Sequence, residues 1–142
     1  MFKHIRNFIA IGLLTCSVSL SSKAETVLNV TDWQAGVVGI TDSYAEFIKN
    51  FEAANPGVKV EYTQYTFGTY LEYLKPALSS GTGPDVFPLF PGSDFEEVYK
   101  AGHLLNLTEI MDDEWKSWLG ESANIPDLSK DGSLYLAPQD AF

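Results

Sequence analysis

Hydrophobic and polar residues alternate along two short stretches of the chain, 25–33 and 58–65. A period of two is typical of β-strands with one buried face, so both stretches are predicted to be strands. A third run, 86–90, is mostly apolar, which is typical of a strand buried on both faces of a parallel sheet. Pro88 lies inside this run and cannot donate a hydrogen bond to a neighbouring strand, so its paired part is predicted to be short.

Between the predicted strands the period changes to that of an α-helix. One helix is predicted at 43–54, where a capping-box spacing precedes an apolar stripe and an Asn-Pro-Gly sequence follows the last turn. A second helix is predicted at 69–81, with a kink near Pro76, and a third, shorter helix at 93–102. This order of strands and helices predicts an α/β fold with a mostly parallel sheet.

A further short helix is predicted to begin at the acidic residues 112–114, which suit the positive end of a helix. Trp115 and Trp118 lie three residues apart on it, and this spacing favours packing in the core. Asp85, which follows Pro84, is interpreted as a structural turn carboxylate. Because ligands of open α/β sheets bind at the carboxyl ends of the strands, the loop that follows the predicted strand 86–90 is a predicted binding region.

The first 24 residues have the pattern of a secretory signal peptide. A basic start is followed by an apolar run at 8–20 that is too short to span a bilayer, and small residues precede a predicted cut after Ala24. A lipid anchor on Cys16 is the alternative, but Thr15 fits that motif poorly. Cleavage after Ala24 removes the only cysteine, so the mature chain is predicted to lack disulfides.

Charge narrows the range of partners. The chain has 9 basic and 19 acidic residues, and removal of the predicted signal leaves six lysines and no arginine. This balance excludes nucleic acids and anionic membranes as expected partners, since both require a basic surface. It also disfavours anionic ligands, which arginine usually binds. With His103 as the sole mature histidine, no metal site or cofactor is predicted, and no catalytic motif is found.

Four segments together indicate a family. They are FEAANPGVKVEY (51–62), LSSGTGPDVF (78–87), YKAGHLLNLTE (99–109) and DGSLYLAPQD (131–140). In this order and spacing they resemble the extracellular solute-binding proteins of ABC importers, family 1, the sugar-binding group that includes maltose-binding protein. The resemblance implies a periplasmic-binding-protein-like fold of type II. It also implies that residues 25–142 form the N-terminal part of the first α/β lobe, truncated near the first interlobe crossing, with the second lobe absent.

The resemblance also implies which residues bind the solute. A neutral sugar has hydroxyl groups that hydrogen-bond to carboxylates and amides, and an apolar face that stacks on aromatic rings. By position the ligand contacts are Trp33, Gln34, Phe90, Ser93, Asp94, Gln139 and Asp140, with Tyr135 as a further aromatic candidate. Structural roles stay open for three of them, because Trp33 and Phe90 can belong to the core and Asp94 can serve the start of a helix.

The implied function is that of a periplasmic binding protein, monomeric at full length, that delivers a small solute to an ABC permease in the inner membrane. The resemblance implies a binding protein and not an enzyme, with a carbohydrate as the expected solute. Two alternatives are weighed against this expectation. A polyamine suits carboxylates and aromatic rings in a chain without arginine. A secreted carbohydrate-active enzyme would use paired carboxylates such as Asp94 and Asp140.

Overall fold

The computed structural model describes residues 25–120 and 128–138 of the chain. The predicted signal peptide, with its cut after Ala24 and the alternative lipid site Cys16, lies outside these residues. So do two of the predicted ligand contacts, Gln139 and Asp140. None of the helices within the described ranges has the length and apolar character that a membrane crossing needs.

Two parallel strands form the centre of the fold. Strand β1 covers Thr26–Asp32 and strand β2 covers Val58–Gln64. They pair in parallel over their whole length, from Thr26 opposite Val58 to Asp32 opposite Gln64. Both strands were predicted from the alternation of apolar residues, and both predictions are confirmed to within a few residues at their ends.

The third predicted strand, 86–90, does not form. A single parallel bridge joins Val86 to Val30, with the Thr31 N–H donating to the Val86 carbonyl at 3.0 Å and the Val86 N–H donating to the Asn29 carbonyl at 3.1 Å. Pro88 follows two residues later and has no N–H to continue the ladder. The short pairing was predicted, but the assignment of a whole strand was wrong.

Helix α1 covers Ile40–Ala54 and helix α2 covers Phe67–Ser79. They lie on opposite faces of the β1–β2 pair. Tyr62 of β2 stacks on Tyr44 of α1, with ring centroids 4.9 Å apart. Tyr65, three residues later and so on the other face, contacts the rings of α2. Right-handed crossovers place successive helices of an α/β unit in this way.

The predicted helix caps were wrong by one to four residues. The N-caps are Gly39, Thr66 and Gly92, whereas the capping-box spacing had suggested Ser43, Thr69 and Ser93. The Ser43 hydroxyl donates to the Gly39 carbonyl at 2.8 Å, four residues earlier. A serine one turn inside a helix can bond the preceding turn, so this spacing does not by itself locate the cap.

The main hydrophobic core lies between α2, the 86–90 segment and helix α3, which covers Ser93–Lys100. Its buried members are Tyr70, Leu74, Leu78 and Val98, with Trp33, Tyr65, Phe87 and Leu89 among the half-buried residues packed against them. Asp85 ties the 86–90 segment to β1, since its carboxylate accepts the Asn29 N–H at 2.8 Å. This contact supports the structural role predicted for Asp85.

A second, smaller core follows. A 3-10 turn at Leu107–Glu109 precedes helix α4, Asp113–Leu119. The two short strands β3, Ser129–Lys130, and β4, Ser133–Leu134, pair as an antiparallel hairpin. Its turn residues are Asp131 and Gly132, both with positive φ, which is the geometry that favours an Asp-Gly pair. The buried residues of this core are Met111, Leu119, Leu128 and Leu134.

Trp115 and Trp118 are not part of the second core. Their exposed fractions are 45% and 74%, so the predicted core packing of these two residues was wrong. Helix α4 has only seven residues and buries Leu119 at its end. Two turns of helix against a small hairpin do not provide enough surface to cover both indoles.

Candidate functional site

The end of β1 is held by a buried carboxylate. Asp32, the last residue of the strand, is 1% exposed. Its Oδ1 accepts the backbone N–H of Gln34 at 2.6 Å, and its Oδ2 accepts the hydroxyl of Tyr62 at 3.3 Å. Burial, together with this carboxylate, raises the pKa of the Tyr62 phenol, which therefore stays protonated and donates. The loop after β1 thus leaves the sheet in a defined direction.

Three aromatic side chains meet at the carboxyl ends of the strands, and we call Trp33, Phe67 and Phe90 the aromatic patch. The Trp33 ring lies 5.6 Å from the ring of Phe67 and 5.4 Å from that of Phe90, and the two phenylalanines are 5.8 Å apart. Each residue follows a different stretch, namely β1, β2 and the 86–90 segment. These distances and the inclined rings are those of favourable aromatic contacts.

The aromatic patch is partly open to solvent. Phe67 is 65% exposed and Phe90 is 36% exposed, while Trp33 is half-buried against the main core. One side of the cluster is therefore held by packing and the other side remains free. An apolar face of a small molecule can stack on such a surface without moving the core.

A core tyrosine positions the Phe90 side of the aromatic patch. Tyr70 is 1% exposed, and its hydroxyl donates to the Pro88 carbonyl at 2.8 Å. Burial raises the pKa of the Tyr70 phenol, so the hydroxyl remains protonated over the physiological range. This hydrogen bond takes the place of the missing strand pairing and holds the segment that ends at Phe90.

The structure therefore brings together two of the predicted site residues, Trp33 and Phe90, with Phe67, which sequence reasoning missed. Phe67 is the first residue of α2 and follows β2 after a short loop. The signal that could have found it is its position, because the loop after β2 ends at the same edge of the sheet as the other two loops.

The polar candidates lie in different surroundings. Gln34 follows Trp33 and is half-buried, with its N–H bound to Asp32 as described. Ser93 is exposed at the first position of α3. The Asp94 carboxylate lies 3.0 Å from the ammonium of Lys75, which also contacts Glu97 at 2.7 Å. These two carboxylates, Glu97 first, raise the pKa of Lys75 and join α3 to α2.

The further aromatic candidate, Tyr135, lies with Tyr99, with ring centroids 4.9 Å apart, and not with the aromatic patch. A polar groove of about 190 Å³ is lined by residues of β1 and β2, by Tyr73 and by residues 82–84. It contains none of the predicted ligand contacts. Within the described parts of the chain, no group of three His, Cys, Asp or Glu side chains is arranged to hold a metal ion.

The fold is shared with solved structures of binding proteins. An ABC substrate-binding protein from Listeria monocytogenes, in complex with cycloalternan, is similar with a TM-score of 0.63 and 25% identity over 78% of this chain. A chitin oligosaccharide binding protein is similar with a TM-score of 0.61 and 29% identity over 78% of this chain. The chain spans 28% of the length of each of these two proteins.

A third solved structure is described in connection with xylan utilization by the thermophilic bacterium Caldanaerobius polysaccharolyticus. It is similar with a TM-score of 0.69 and 21% identity, over 77% of this chain and 27% of its own. These similarities confirm the predicted type II periplasmic-binding fold, of which the chain covers a part. Comparison with curated protein sequences gives no significant match.

The family follows from the sequence as a whole. The model of the bacterial extracellular solute-binding protein family matches residues 38–141, which is most of the chain. The resemblance predicted from the four sequence segments is thereby confirmed. The description of this family is that of extracellular binding proteins for solutes. The chain belongs to the bacterial extracellular solute-binding protein family.

Proposed function

We propose that this chain forms part of the first lobe of a periplasmic sugar-binding protein, which delivers its solute to an ABC permease in the inner membrane. The aromatic patch is the half of the solute site that the described residues supply. The observation that carries this proposal is the meeting of Trp33, Phe67 and Phe90 at the carboxyl ends of the strands, with two of the rings open to solvent.

The chemistry of the aromatic patch favours a carbohydrate. The C–H face of a sugar ring is apolar, and it stacks on aromatic rings whose other side is packed. The similar proteins support the same class of ligand, since one was solved with cycloalternan and another is named for chitin oligosaccharides. An oligosaccharide suits a surface built from three rings better than a small ion does.

The nearby carboxylates speak against a polyamine. Asp32 is buried and already accepts two hydrogen bonds, and Asp94 forms an ion pair with Lys75. Neither carboxylate can bind the ammonium group of a polyamine without losing an existing contact. A polyamine would therefore meet aromatic rings here, but the carboxylates of Asp32 and Asp94 are already bound to other groups of the chain.

We infer that the second half of the site comes from another lobe. The chain spans 27–28% of the length of the similar proteins, and hinge closure of two lobes is the usual way in which such a cleft buries its ligand. The rings of one lobe alone must offset an association cost of about 4–15 kcal/mol. The 142-residue chain by itself is expected to bind sugars no better than at about millimolar Kd.

The test uses the protein expressed from its complete gene, whatever its length, titrated calorimetrically with malto-, xylo- and chito-oligosaccharides and with spermidine. We expect one oligosaccharide class to bind. Phe67→Ala should weaken that binding about three- to ten-fold, the value of one aromatic contact. The matched control is Phe47→Ala in α1, because Phe47 is 66% exposed and Phe67 is 65% exposed, yet Phe47 lies outside the aromatic patch.

Three outcomes would contradict the proposal. Tight binding of spermidine with no response to the sugars would replace the ligand class. Equal effects of the two phenylalanine variants would remove the aromatic patch from the site. Release of shortened sugars during the titration, detected by chromatography, would show turnover and would favour the alternative of a carbohydrate-active enzyme.

A further inference from the structure

A second aromatic surface lies on the other core of the molecule. Trp115 and Trp118 of α4, with Asp112 and Glu114, line a groove of about 340 Å³ that we call the tryptophan groove. Trp118 is among the most exposed large hydrophobic side chains of the described residues, at 74%. An indole so far out of the core loses the free energy that its burial would supply, which amounts to roughly 25 cal/mol per Å².

The two indoles are not held as Trp33 is held. Trp33 contacts two other rings, whereas neither Trp115 nor Trp118 makes a ring contact with another aromatic residue in the described ranges. The buried face of α4 is formed at Leu119 instead. Within the described residues, no other aromatic ring therefore covers the ring faces at this groove.

The charges at the tryptophan groove have one sign. Of the described residues that line the groove, two are carboxylates and none is a cation. The Asp112 carboxylate accepts the backbone N–H of Trp115 at 2.8 Å, which orients it at the start of α4 without neutralising its charge. Lys116 is the one cation of α4, and it lies 3.9 Å from Asp113, outside the lining of the groove.

Carboxylates beside exposed indoles match one kind of side chain. Lysine and arginine carry an apolar stem that packs on a ring and a cation that is attracted both to the ring face and to a carboxylate. From this match of charge and shape we infer that the tryptophan groove docks a protein segment that presents lysine or arginine side chains. This inference is independent of the solute site, because the groove belongs to the second core and the aromatic patch to the first.

Other occupants fit less well. A second copy of this chain carries a net charge of −10, so two acidic grooves would repel each other. A free sugar has no charge to match the carboxylates. A free polyamine lacks the fixed spacing of a folded segment. A basic loop of a partner protein combines the cation with a rigid backbone, which lowers the entropy cost of docking.

The experiment observes the indole N–H signals of the 142-residue chain by NMR. The sequence has three tryptophans, so Trp33 provides an internal reference beside Trp115 and Trp118. The probe is a synthetic peptide with three arginines separated by glycines, at millimolar concentration. Its counterpart replaces each arginine with citrulline, which keeps the shape and removes the charge. We expect the arginine peptide to shift the Trp115 and Trp118 signals, and the citrulline peptide to leave them in place.

Two variants sharpen the test. Trp118→Ala and Glu114→Gln are each expected to weaken the peptide about two- to five-fold, the range that exposed cation–π contacts provide. Glu46→Gln, an exposed glutamate of α1, is the matched control and should change nothing. Both groove residues are exposed, so the variants should fold, and the dispersion of the spectrum reports whether they do.

The inference is overturned by any of the following results. One such result is that the arginine peptide leaves the Trp115 and Trp118 signals in place. Another is that the citrulline peptide shifts these signals equally. A third is that the Trp33 signal shifts as much as they do. Signals that depend on protein concentration without peptide would assign the groove to self-association. Spermidine or an oligosaccharide that shifts these two signals at lower concentration than the peptide would assign it to a small ligand.

Discussion

The two helices that flank the β1–β2 pair are buried to different degrees. Helix α2 buries Tyr70, Leu74 and Leu78, whereas no residue of α1 is buried. Both helices carry an apolar stripe at helical spacing. The difference lies in what packs on them, since α2 meets α3, the 86–90 segment and the residues of the main core, while α1 packs mainly on β2.

This difference shows that amphipathic spacing identifies a helix but does not determine how deeply the helix is buried. Phe47 lies on the predicted apolar stripe of α1 and is nevertheless 66% exposed. Helix α1 is held by a smaller set of contacts, among them the Tyr44–Tyr62 stack and an ion pair between Glu52 and Lys59. Stability within the described residues therefore comes mainly from the α2 side of the sheet.

The largest expected effect tests that asymmetry directly. Leu74 of α2 is 0% exposed, so Leu74→Ala should lower the free energy of unfolding by about 2–5 kcal/mol through lost burial and the cavity left behind. Phe47→Ala in α1 should change it by less than about 0.5 kcal/mol, although it removes a larger side chain. Urea titrations followed by circular dichroism measure both values.

The inferred difference between α1 and α2 would be contradicted if Leu74→Ala and Phe47→Ala lowered the free energy of unfolding by similar amounts. A large effect of Phe47→Ala would mean that the α1 stripe is covered in solution by something outside the described residues. Repeating the urea titrations at several protein concentrations distinguishes self-association from that case, because stability that depends on a dimer rises with protein concentration.

A smaller effect is expected at the hydrogen bond that replaces strand pairing on the α2 side. Tyr70→Phe removes the donor to the Pro88 carbonyl and keeps the ring in the core. The expected loss is about 1–2 kcal/mol, because Pro88 is half-buried and its carbonyl is left without this donor. The variant should also weaken oligosaccharide binding by the complete gene product, since the same bond holds the segment that ends at Phe90.

Tyr73→Phe is the control for this prediction. Tyr73 of α2 stacks on Tyr65, with ring centroids 4.2 Å apart, whereas the donor to the Pro88 carbonyl is Tyr70. Unchanged binding in Tyr70→Phe, together with the expected loss of stability, would separate the core role of Tyr70 from any role at the aromatic patch.

The fold was largely predictable because its signals are local. The alternation of apolar and polar residues predicted β1 and β2. Helical spacing of apolar residues, followed by proline or glycine, predicted where α1 and α2 end. The strand at 86–90 was overestimated, because apolar composition indicates burial but pairing depends on N–H groups that Pro88 lacks. The helix starts were misplaced, because a hydroxyl can bond a carbonyl one turn back as easily as it caps a helix.

The candidate site was only partly predictable, because it depends on which loops meet. Trp33 and Phe90 were predicted as ligand contacts from the family resemblance, and the structure places their rings in contact with each other. That they bind a solute stays a prediction. Phe67 was missed, although the rule that ligands bind at the carboxyl ends of strands covers the loop after β2. Trp115 and Trp118 were predicted to be core from their spacing, but spacing carries no information on how much surface a seven-residue helix can find to pack against.

The smallest expected effect concerns the contact that fastens α1 to β2. Glu52 accepts a hydrogen bond from the Lys59 ammonium at 2.7 Å and another from the Val60 N–H at 2.9 Å. These two donors, Lys59 first, hold the pKa of the Glu52 carboxyl below its ordinary value of 4.5. A lowered pKa in the folded state means that the contribution is present above about pH 4.5 and is lost as the pH falls through the lowered pKa.

Glu52→Gln should therefore be slightly less stable than the parent chain at pH 7, and this difference should shrink as the pH falls below 4.5. Both groups of the pair are solvent-accessible, so the difference should also shrink in high salt. Glu46→Gln, on the same helix, pairs with no cation among the described residues and controls for loss of one negative charge. The effect is measured by the midpoints of urea unfolding of the parent chain, Glu52→Gln and Glu46→Gln, each at pH 7 and at a pH below 4.5. If the difference between Glu52→Gln and the parent stayed constant across this range, the ion pair would not be what holds α1 to the sheet, and the Tyr44–Tyr62 stack would be left as the main contact on that side.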